Sequence, residues 1–282
     1  MRALILGGTG TLGKEVTRQL LDKGDSVTCF SRCELKQKEL QSQIQHDDLS
    51  CIVGDIRDVD AVSDACRGID TVFHLAALKH VDVLEHNPGE SIKTNVLGTM
   101  NVIRACEQTG VKSLVFSSTD KACEPVNAYG MSKALSEKLI FNHNRIHNPG
   151  IGAVYRWGNV VASRGSAIPY FVESLKNGGR VRITDERMTR FFIRIEDACR
   201  FMLATYREAP QYEVKVPPIK ATSMLTLVDV LASMLGVTYH IDMIGIRPGE
   251  KIHEKLTPDF VSSDAKHHFT RKELEELLEQ FI

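Results

Sequence analysis

The chain has 282 residues and a formal net charge of −1, with 35 basic and 36 acidic side chains. That length is enough for one nucleotide-binding domain and a smaller second lobe. The balanced charge excludes a global basic field for nucleic acid, and no apolar run is long enough to predict a membrane span, so we expect neither kind of partner.

Short apolar runs alternate with amphipathic stretches through the first half of the chain. The runs predict strands over residues 3–6, 26–30, 51–53, 71–75, 113–116 and 153–156. The stretches between them predict helices around 12–23, 58–66, 88–108 and 127–146. This alternation is typical of a parallel sheet with helices on both faces. We therefore predict an α/β fold, with a doubly wound Rossmann domain over 1–162, a returning segment around 190–220, and a smaller C-terminal lobe formed mainly by 163–282.

A glycine-rich turn follows the first predicted strand and opens the first predicted helix. Glycine permits a tight turn and allows backbone N–H groups to approach a pyrophosphate at a helix N-terminus. Because the glycines occupy the strand–turn–helix context that this role requires, they predict dinucleotide binding rather than a mere turn. The residues that we expect to contact the cofactor here are Gly7, Thr9, Gly10, Thr11, Leu12 and Gly13.

The end of the second predicted strand indicates which dinucleotide is bound. An acidic residue there would hold the ribose hydroxyls of NAD, but the chain has Ser31 and Arg32, with Lys36 close behind. Hydroxyl and guanidinium groups can bind a 2′-phosphate, so NADP is favoured over NAD. The alternative is that Arg32 is a surface residue and Glu34 binds the ribose, in which case NAD is the cofactor.

The loops after the third and fourth strands supply further candidates for the cofactor site. Asp55 and Ile56 after strand three could border the adenine. The small residues Ala76 and Ala77 after strand four allow the backbone to lie against the cofactor. Lys79 could instead line the sugar site, and Asn95 could hold a neighbouring helix through its backbone. The candidates are Asp55, Ile56, Ala76, Ala77, Lys79 and Asn95.

The segment from 117 to 133 carries the groups that point to proton chemistry. Tyr129 and Lys133 are four residues apart on a predicted helix and share one face of it. A nearby ammonium would lower the pKa of the phenol and make it a usable base near neutral pH. Asp120 and Lys121 add two proton carriers just upstream, unless they are only an ion pair at a strand end. Thr119 could hydrogen-bond a substrate or act as a local cap.

The cysteine and histidine positions predict no metal site and a reducing environment. The seven cysteines form no Cys-x-x-Cys pair, which favours a cytoplasmic protein with free thiols, and the strand directly after Met1 leaves no room for a signal peptide. His143 and His147 are four apart on a predicted helix, but no Glu follows His143 and no cysteine cluster is near. Near the C-terminus, Thr270 and Glu273 predict a capping box and a final helix.

These features together resemble the extended short-chain dehydrogenase/reductase family. Within it, the chain is similar to the UDP-N-acetylglucosamine 4,6-dehydratases, most of all to those that invert C5 and begin pseudaminic acid synthesis. The matching runs cover nearly the whole chain in the expected order: 30–37, 76–80, 87–88, 93–98, 117–133, 156–161, 163–166, 184–191 and 247–254.

The resemblance implies a cycle without net redox change. Tyr129 would take the proton of the sugar 4-hydroxyl while hydride passes to NADP⁺, and Lys133 would hold the nicotinamide ribose. Lys121 would be the base at C5 and Asp120 the acid for the departing 6-hydroxyl, or the two roles could be exchanged. A Lys can act as a base only where burial or a nearby cation lowers its pKa.

The resemblance also implies that the second lobe binds the UDP-sugar. Guanidinium groups suit a diphosphate, and polar side chains could bind the nucleotide or the acetamido sugar. The candidates are Lys79, Thr119, Asn159, Ser163, Arg164, Arg187, Arg190, Arg247 and Glu250. Relatives of this kind assemble through packed helices, so we expect a homo-oligomer.

Two other functions are compatible with parts of the pattern. A UDP-sugar 4-epimerase would share the fold, the cofactor, Tyr129 and Lys133, but would not need Asp120 and Lys121 for dehydration. A non-catalytic NADP-binding regulator would not need the paired Tyr129 and Lys133.

Overall fold

The computed structural model describes residues 1–147, 151–161, 166–208 and 212–282. Within these ranges the strands are β1 (Arg2–Leu6), β2 (Ser26–Ser31), β3 (Leu49–Val53), β4 (Thr71–His74), β5 (Ser113–Ser117), β6 (Gly152–Tyr155), β7 (Asn159–Val160), β8 (Arg180–Ile183), β9 (Thr189–Ile193), β10 (Val214–Lys215), β11 (Lys220–Ser223), β12 (His240–Met243), β13 (Lys255–Thr257) and β14 (Phe260–Val261).

The helices alternate with the strands of the first half and then continue into the C-terminal part. They are α1 (Thr11–Leu21), α2 (Glu34–Ile44), α3 (Val59–Cys66), α4 (Val81–His86), α5 (Pro88–Ser91), α6 (Gly98–Thr109), α7 (Ala128–Ile146), α8 (Ala167–Lys176), α9 (Ile195–Thr205), α10 (Met224–Leu235) and α11 (Arg271–Leu278). No helix of the described ranges has the length and apolar character needed to cross a membrane.

A parallel seven-stranded sheet in the order β10-β6-β5-β4-β1-β2-β3 forms the centre of the fold. Leu6, at the end of β1, is in register with Phe30 of β2 and with His74 of β4. Strand order reverses between β1 and β4, which places a topological switch point at their carboxyl ends, where ligands bind in folds of this kind. The predicted doubly wound parallel sheet is confirmed.

Burial explains why the central strands are apolar throughout. Residues 3–6 of β1 and the whole of β4 are buried, as expected when helices cover both faces of a parallel sheet. At the sheet edge, β3 leaves Val53 more than half exposed. The carboxyl ends of β1 and β4, at the switch point, are therefore buried within the sheet.

The C-terminal part adds smaller sheets and a second apolar core. These sheets are β11-β9-β7, β12-β8 and β13-β14, and the second core lies between α8, α10, α11 and β8. The chain returns to the main sheet at β10, which pairs with β6. Thr270 and Glu273 form the predicted capping box at the start of α11.

The helix predicted over 88–108 is interrupted in the structure. It consists of α5, a π-helical turn at Ile92–Leu97, and α6. Such turns are common near functional sites, and this one carries Asn95. The Asn95 amide nitrogen donates to the Leu78 carbonyl (3.0 Å) and to the Ser132 hydroxyl (2.9 Å), and its oxygen accepts from the Leu78 N–H (2.9 Å). These bonds tie the loop after β4 to α7.

Candidate active site

The glycine turn forms a cradle at the switch point. Gly7 has φ +88°, and a Cβ on it would lie 2.8 Å from the Ala76 nitrogen, so only glycine fits here. Gly10 precedes α1 as its N-cap and makes no side-chain capping bond. The first N–H groups of α1 are therefore free of a side-chain acceptor, which suits the pyrophosphate of a dinucleotide. Thr9, Thr11, Leu12 and Gly13 complete this turn and first helical turn.

The end of β2 presents basic side chains to solvent. Arg32 and Lys36 are exposed, and the Arg32 guanidinium lies 3.9 Å from the Asp55 carboxylate. Arg57 donates to that carboxylate at 2.6 Å and 2.9 Å, so Asp55 has a stronger partner than Arg32. Ser31 is held by the Gln37 amide, which donates to its carbonyl and its hydroxyl, each at 3.0 Å.

The remaining cofactor candidates line the same edge of the sheet. Ala76 and Ala77 are partly buried in the loop after β4, and Lys79 is exposed further along it. Ile56 is different, because its side chain is buried and packs against Gly98 of α6. Only the backbone of Ile56 can border a cofactor at this edge.

Helix α7, which carries Tyr129 and Lys133, begins at a well-defined cap. The Asn127 side-chain oxygen accepts from the Gly130 N–H (2.7 Å), and its amide nitrogen donates to the Gly249 carbonyl (2.7 Å). A Cβ on Gly130 would collide with the carbonyl of Lys121. The glycine therefore lets the helix lie directly against the short 3₁₀ turn Asp120–Ala122, which brings the two predicted catalytic pairs together.

Burial raises the pKa of the Tyr129 phenol above its ordinary value. The charge of Lys121 and a side-chain hydrogen bond with Thr119 act in the opposite direction. The expectation that Lys133 lowers this pKa is wrong for the structure described here, since Lys121 is the cation that favours the phenolate.

The Lys133 side chain is buried, and its amine contacts an aromatic ring. Its Nζ lies 3.8 Å from the centroid of the Phe116 ring. Burial lowers the pKa of Lys133 to about 7, although Glu137 opposes the shift. Glu137 is itself occupied by Arg156, whose guanidinium donates to both of its oxygens (2.8 and 2.6 Å). Burial therefore disfavours the ammonium form of Lys133.

Asp120 and Lys121 form part of a buried triad of charges. The Lys121 Nζ lies 3.1 Å from Oδ1 of Asp120 and 3.4 Å from Oε1 of Glu254. The Thr119 hydroxyl donates to the same Asp120 oxygen at 2.9 Å. The other oxygen, Oδ2, is buried and makes no hydrogen bond with any described residue. Asp120 thus has one anchored oxygen and one that can accept a proton.

Burial and the charges within the triad shift the pKa of each of its members, which the sequence could not reveal. Burial raises the pKa of Asp120, against the opposing charge of Lys121. For Lys121, burial works to lower the pKa, but Asp120 and Glu254 outweigh it and raise the pKa. For Glu254, burial is outweighed by Lys121, Arg190 and Lys251, which hold its pKa below the usual range. The requirement that a basic Lys121 has a lowered pKa is therefore not met.

Sequence reasoning did not single out Glu254 as a site residue. It precedes β13 and is 2% exposed, and its Oε2 lies 3.1 Å from the Lys251 ammonium. Its position within the matching run 247–254 was the one signal available, because nothing local links it to Lys121.

Arg190 is placed differently from its predicted role in substrate binding. Its guanidinium is buried and donates to the carbonyls of Thr189 (2.7 Å), Ile252 (3.0 Å) and Lys251 (2.9 Å). Backbone carbonyls thus occupy both terminal nitrogens. Arg190 therefore holds in place the segment that carries Glu254, and its positive charge lowers the pKa of Glu254.

The other substrate candidates are spread over the C-terminal part. Arg187 is exposed and paired with Asp185, with contacts of 2.9 and 2.7 Å. Arg247 is exposed, and its backbone N–H donates to Glu250 (3.2 Å). Asn159 lies in β7, and Ser163 and Arg164 lie outside the described residues.

Comparison with known proteins places this site in a family. Residues 3–274 match the family model described as polysaccharide biosynthesis protein. The chain belongs to this family. It is 43% identical, over 94% of its length and 78% of the relative's, to the UDP-N-acetylglucosamine 4,6-dehydratase (inverting) of Campylobacter jejuni strain 81-176. The resemblance drawn from the sequence runs is thereby confirmed.

The chain is also similar to a relative named for a different activity and to a solved structure. The UDP-glucose 4-epimerase of Rickettsia typhi is 39% identical over 90% of this chain and 76% of its own. The X-ray structure of Pen from Bacillus thuringiensis superposes with a TM-score of 0.90 at 32% identity, covering 99% of this chain and 97% of that one.

Proposed function

We propose that the chain is a hydro-lyase that dehydrates UDP-N-acetylglucosamine to a 4-keto-6-deoxy sugar, with inversion at C5. The buried triad supports this most directly, because oxidation at C4 alone has no need of a carboxyl–ammonium pair beside Tyr129. Identity of 43% to a relative named as an inverting UDP-N-acetylglucosamine 4,6-dehydratase supports the same activity.

We assign the first proton transfer to Tyr129. Its phenol loses a proton to become the base for the 4-hydroxyl, and Lys121 is the charge that favours that loss. When bound, the dinucleotide would accept hydride from C4 and later return it to C6. The remaining steps belong to the residues of the 120–122 turn and to Glu254.

For the elimination, the charges favour the exchanged assignment of Asp120 and Lys121. A carboxylate with a raised pKa is a stronger base than an ordinary Asp, and its Oδ2 is unoccupied by any described residue. We therefore propose that Asp120 takes the C5 proton next to the 4-ketone. Lys121, held as the ammonium by its two carboxylate neighbours, gives its proton to the departing 6-hydroxyl, so that one water leaves. When hydride returns to C6, C5 takes up a solvent-derived proton on its opposite face, which inverts its configuration.

The cofactor that we propose is NADP, with NAD as the alternative. The glycine cradle and the uncapped start of α1 suit the pyrophosphate. No acidic side chain stands at positions 31 and 32, and the exposed Arg32 and Lys36 can meet a 2′-phosphate. Asp55 is already paired with Arg57, which leaves Arg32 available.

We propose that the protein is a homodimer in which a second copy covers the N-terminal parts of α6 and α7. The two helices pack side by side. Large apolar side chains on them, and on the π-helical turn that precedes α6, are exposed by 45–54%: Leu97, Met100, Met131 and Leu135. Exposed apolar patches of this kind mark interaction sites, and a two-fold axis would let the same patch cover itself.

We place this activity at the start of a pathway of the pseudaminic acid type, in the cytoplasm. The relative's name gives an inverting 4,6-dehydration of UDP-N-acetylglucosamine, and the pathway is the one that the resemblance of the sequence implies. All seven cysteines are free thiols, which suits a reducing compartment.

Proton NMR in heavy water with UDP-N-acetylglucosamine and NADP⁺ tests the proposal. We expect loss of one water, a new C6 methyl signal, and deuterium at C5. A UDP-sugar 4-epimerase, the second candidate suggested by the 39% identical relative, would yield a C4 epimer with no loss of water. That product, or cofactor binding without turnover, would refute the dehydratase assignment.

A further inference from the structure

Helices α6 and α7 bring three potential metal ligands together. The sequence shows His143 and His147 four residues apart, with no acidic residue beside them. In the structure, Glu107 of α6 lies against both histidines of α7. Their ligand atoms all lie within 4.8 Å of one another. The third ligand that the sequence lacks is therefore supplied by the neighbouring helix.

The separations of the three atoms suit a single small cation. Oε1 of Glu107 lies 2.8 Å from Nε2 of His147 and 3.4 Å from Nε2 of His143. Zinc bonds to His nitrogen and carboxylate oxygen at about 2.0–2.2 Å, so two ligands on one tetrahedral ion stand roughly 3.4 Å apart. Small side-chain rotations would place all three atoms around one ion.

His143 supplies a second, independent observation. The residue is 8% exposed, and its Nε2 is buried without a hydrogen-bond partner among the described residues. A buried polar nitrogen without a partner is costly, and a cation would satisfy it.

The position of the cluster separates it from the chemistry at Tyr129. His143 lies fourteen residues after Tyr129 on the same helix, which is about 20 Å along the axis. Glu107 and His147 are exposed, so water can complete the coordination sphere.

We propose that Glu107, His143 and His147 form a binding site for one divalent transition-metal ion, zinc by its ligand chemistry, with water as the fourth ligand. The ion would tie the C-terminal end of α7 to α6. This inference does not depend on the enzymatic reaction, so either one can fail without the other.

The experiment titrates the chelator-stripped full-length chain with Co²⁺ and then displaces the Co²⁺ with Zn²⁺. We expect visible d–d absorption that saturates at one ion per chain, with no thiolate charge-transfer band, because the ligands are nitrogen and oxygen. Glu107→Gln and His147→Gln should each weaken Zn²⁺ binding at least about tenfold. That is the lower end of what loss of a supporting partner costs in metal sites.

A matched control is available at His240. Its Nε2 lies 3.4 Å from the Asp242 carboxylate, so it pairs a histidine with an acid but lacks the second histidine. His240→Gln should bind Zn²⁺ as the wild type does. Saturating Zn²⁺ should raise the melting temperature of the wild type and of His240→Gln, but not of His147→Gln.

Three results would overturn the proposal. They are absence of saturable Co²⁺ absorption, a thiolate charge-transfer band that assigns the ion to cysteine, and Zn²⁺ affinity unchanged in both Glu107→Gln and His147→Gln. Circular dichroism of each variant without metal establishes that it is folded before titration.

Discussion

The ammonium group of Lys121 lies 3.4 Å from the carboxylate of Glu254, which reaches it from the far end of the sequence. Lys121 is therefore held between two carboxylates, and its second neighbour is Asp120 at 3.1 Å. The Glu254 charge raises the pKa of both Lys121 and Asp120. In the proposed mechanism Glu254 is a positioning group that sets how readily Asp120 and Lys121 exchange protons.

Glu254→Gln should shift the whole pH–activity profile to lower pH, by about one unit. The physical reason is that removal of a nearby negative charge lowers the pKa of both Asp120 and Lys121. The measurement is kcat/KM against pH. Glu124→Gln is the control, since Glu124 is exposed and pairs with Lys255 at 2.8 Å instead. An unmoved profile with reduced activity would leave Glu254 with a purely structural role.

Asp120→Asn and Lys121→Met should separate the two halves of the elimination. If Asp120 is the base at C5, Asp120→Asn loses both water elimination and solvent deuterium exchange at C5. Lys121→Met should lose elimination by roughly 10²–10⁴-fold, the usual weight of a positioned proton donor. It should still exchange deuterium at C5, but more slowly than the wild type, because Lys121 also favours the Tyr129 phenolate that begins oxidation at C4. NMR of recovered substrate reads both effects. The reverse pattern would restore Lys121 as the base.

Lys133→Met should stabilise the cofactor-free chain at neutral pH while abolishing turnover. The folded pKa of Lys133 is about 7, against an ordinary value of 10.5, so between these values the unfolded chain binds more protons and stability rises with pH. Removing the amine relieves a cost on the order of 4 kcal/mol near pH 7, and the gain fades as pH approaches 10.5.

Urea unfolding of the wild type and of Lys133→Met at several pH values measures this difference. Lys93→Met serves as the control, because Lys93 is 61% exposed and pairs with Glu90 on the surface. A stability difference that stays constant with pH would contradict the buried-amine explanation.

Arg32→Ala should reduce affinity for NADP⁺ by about 10–100-fold, which corresponds to loss of one charge-assisted contact of roughly 1.5–3 kcal/mol. Affinity for NAD⁺ should hardly change, because NAD lacks the 2′-phosphate. Isothermal titration with both cofactors measures the ratio. Arg67→Ala, an exposed arginine paired with Asp64 on α3, should leave it unaltered; equal losses for both cofactors would point to Glu34 and NAD instead.

Leu135→Glu should convert a dimer into a monomer. Leu135 is 51% exposed on α7, and a charge there would be buried without a partner in the two-fold interface. Light scattering after size exclusion gives the mass. Tyr170→Glu, on α8 and 43% exposed, should keep the oligomeric state of the wild type. A wild-type chain that is already monomeric would refute the interface.

The parts of the site that could be read from the sequence are those set by local chemistry. The turn at Gly7 requires a positive φ and a close approach of the Ala76 backbone. Only glycine meets both requirements, so the residue type itself reveals the turn. Asp120, Lys121 and Tyr129 could be grouped because they lie within one strand–turn–helix unit. The same locality predicted the capping box of α11.

Long-range contacts and burial explain what the sequence left hidden. Glu254 reaches Lys121 only through the fold, and Arg190 looks like any surface arginine until its carbonyl partners are known. The pKa of Tyr129 was mispredicted because burial, which no spacing reveals, outweighs the neighbouring charge. Glu107 likewise joins the two histidines only once α6 and α7 are packed.

The Asn127 side chain connects the start of α7 to the C-terminal part of the chain. The side chain accepts from the Gly130 N–H and donates to the Gly249 carbonyl. Displacement of the loop that contains Gly249 must therefore either move the start of α7 with it or break one of these two hydrogen bonds. In the proposed function Arg247 and Glu250 bind the nucleotide, so nucleotide binding and the position of the Tyr129 phenol, two residues beyond Asn127, are linked through this one side chain.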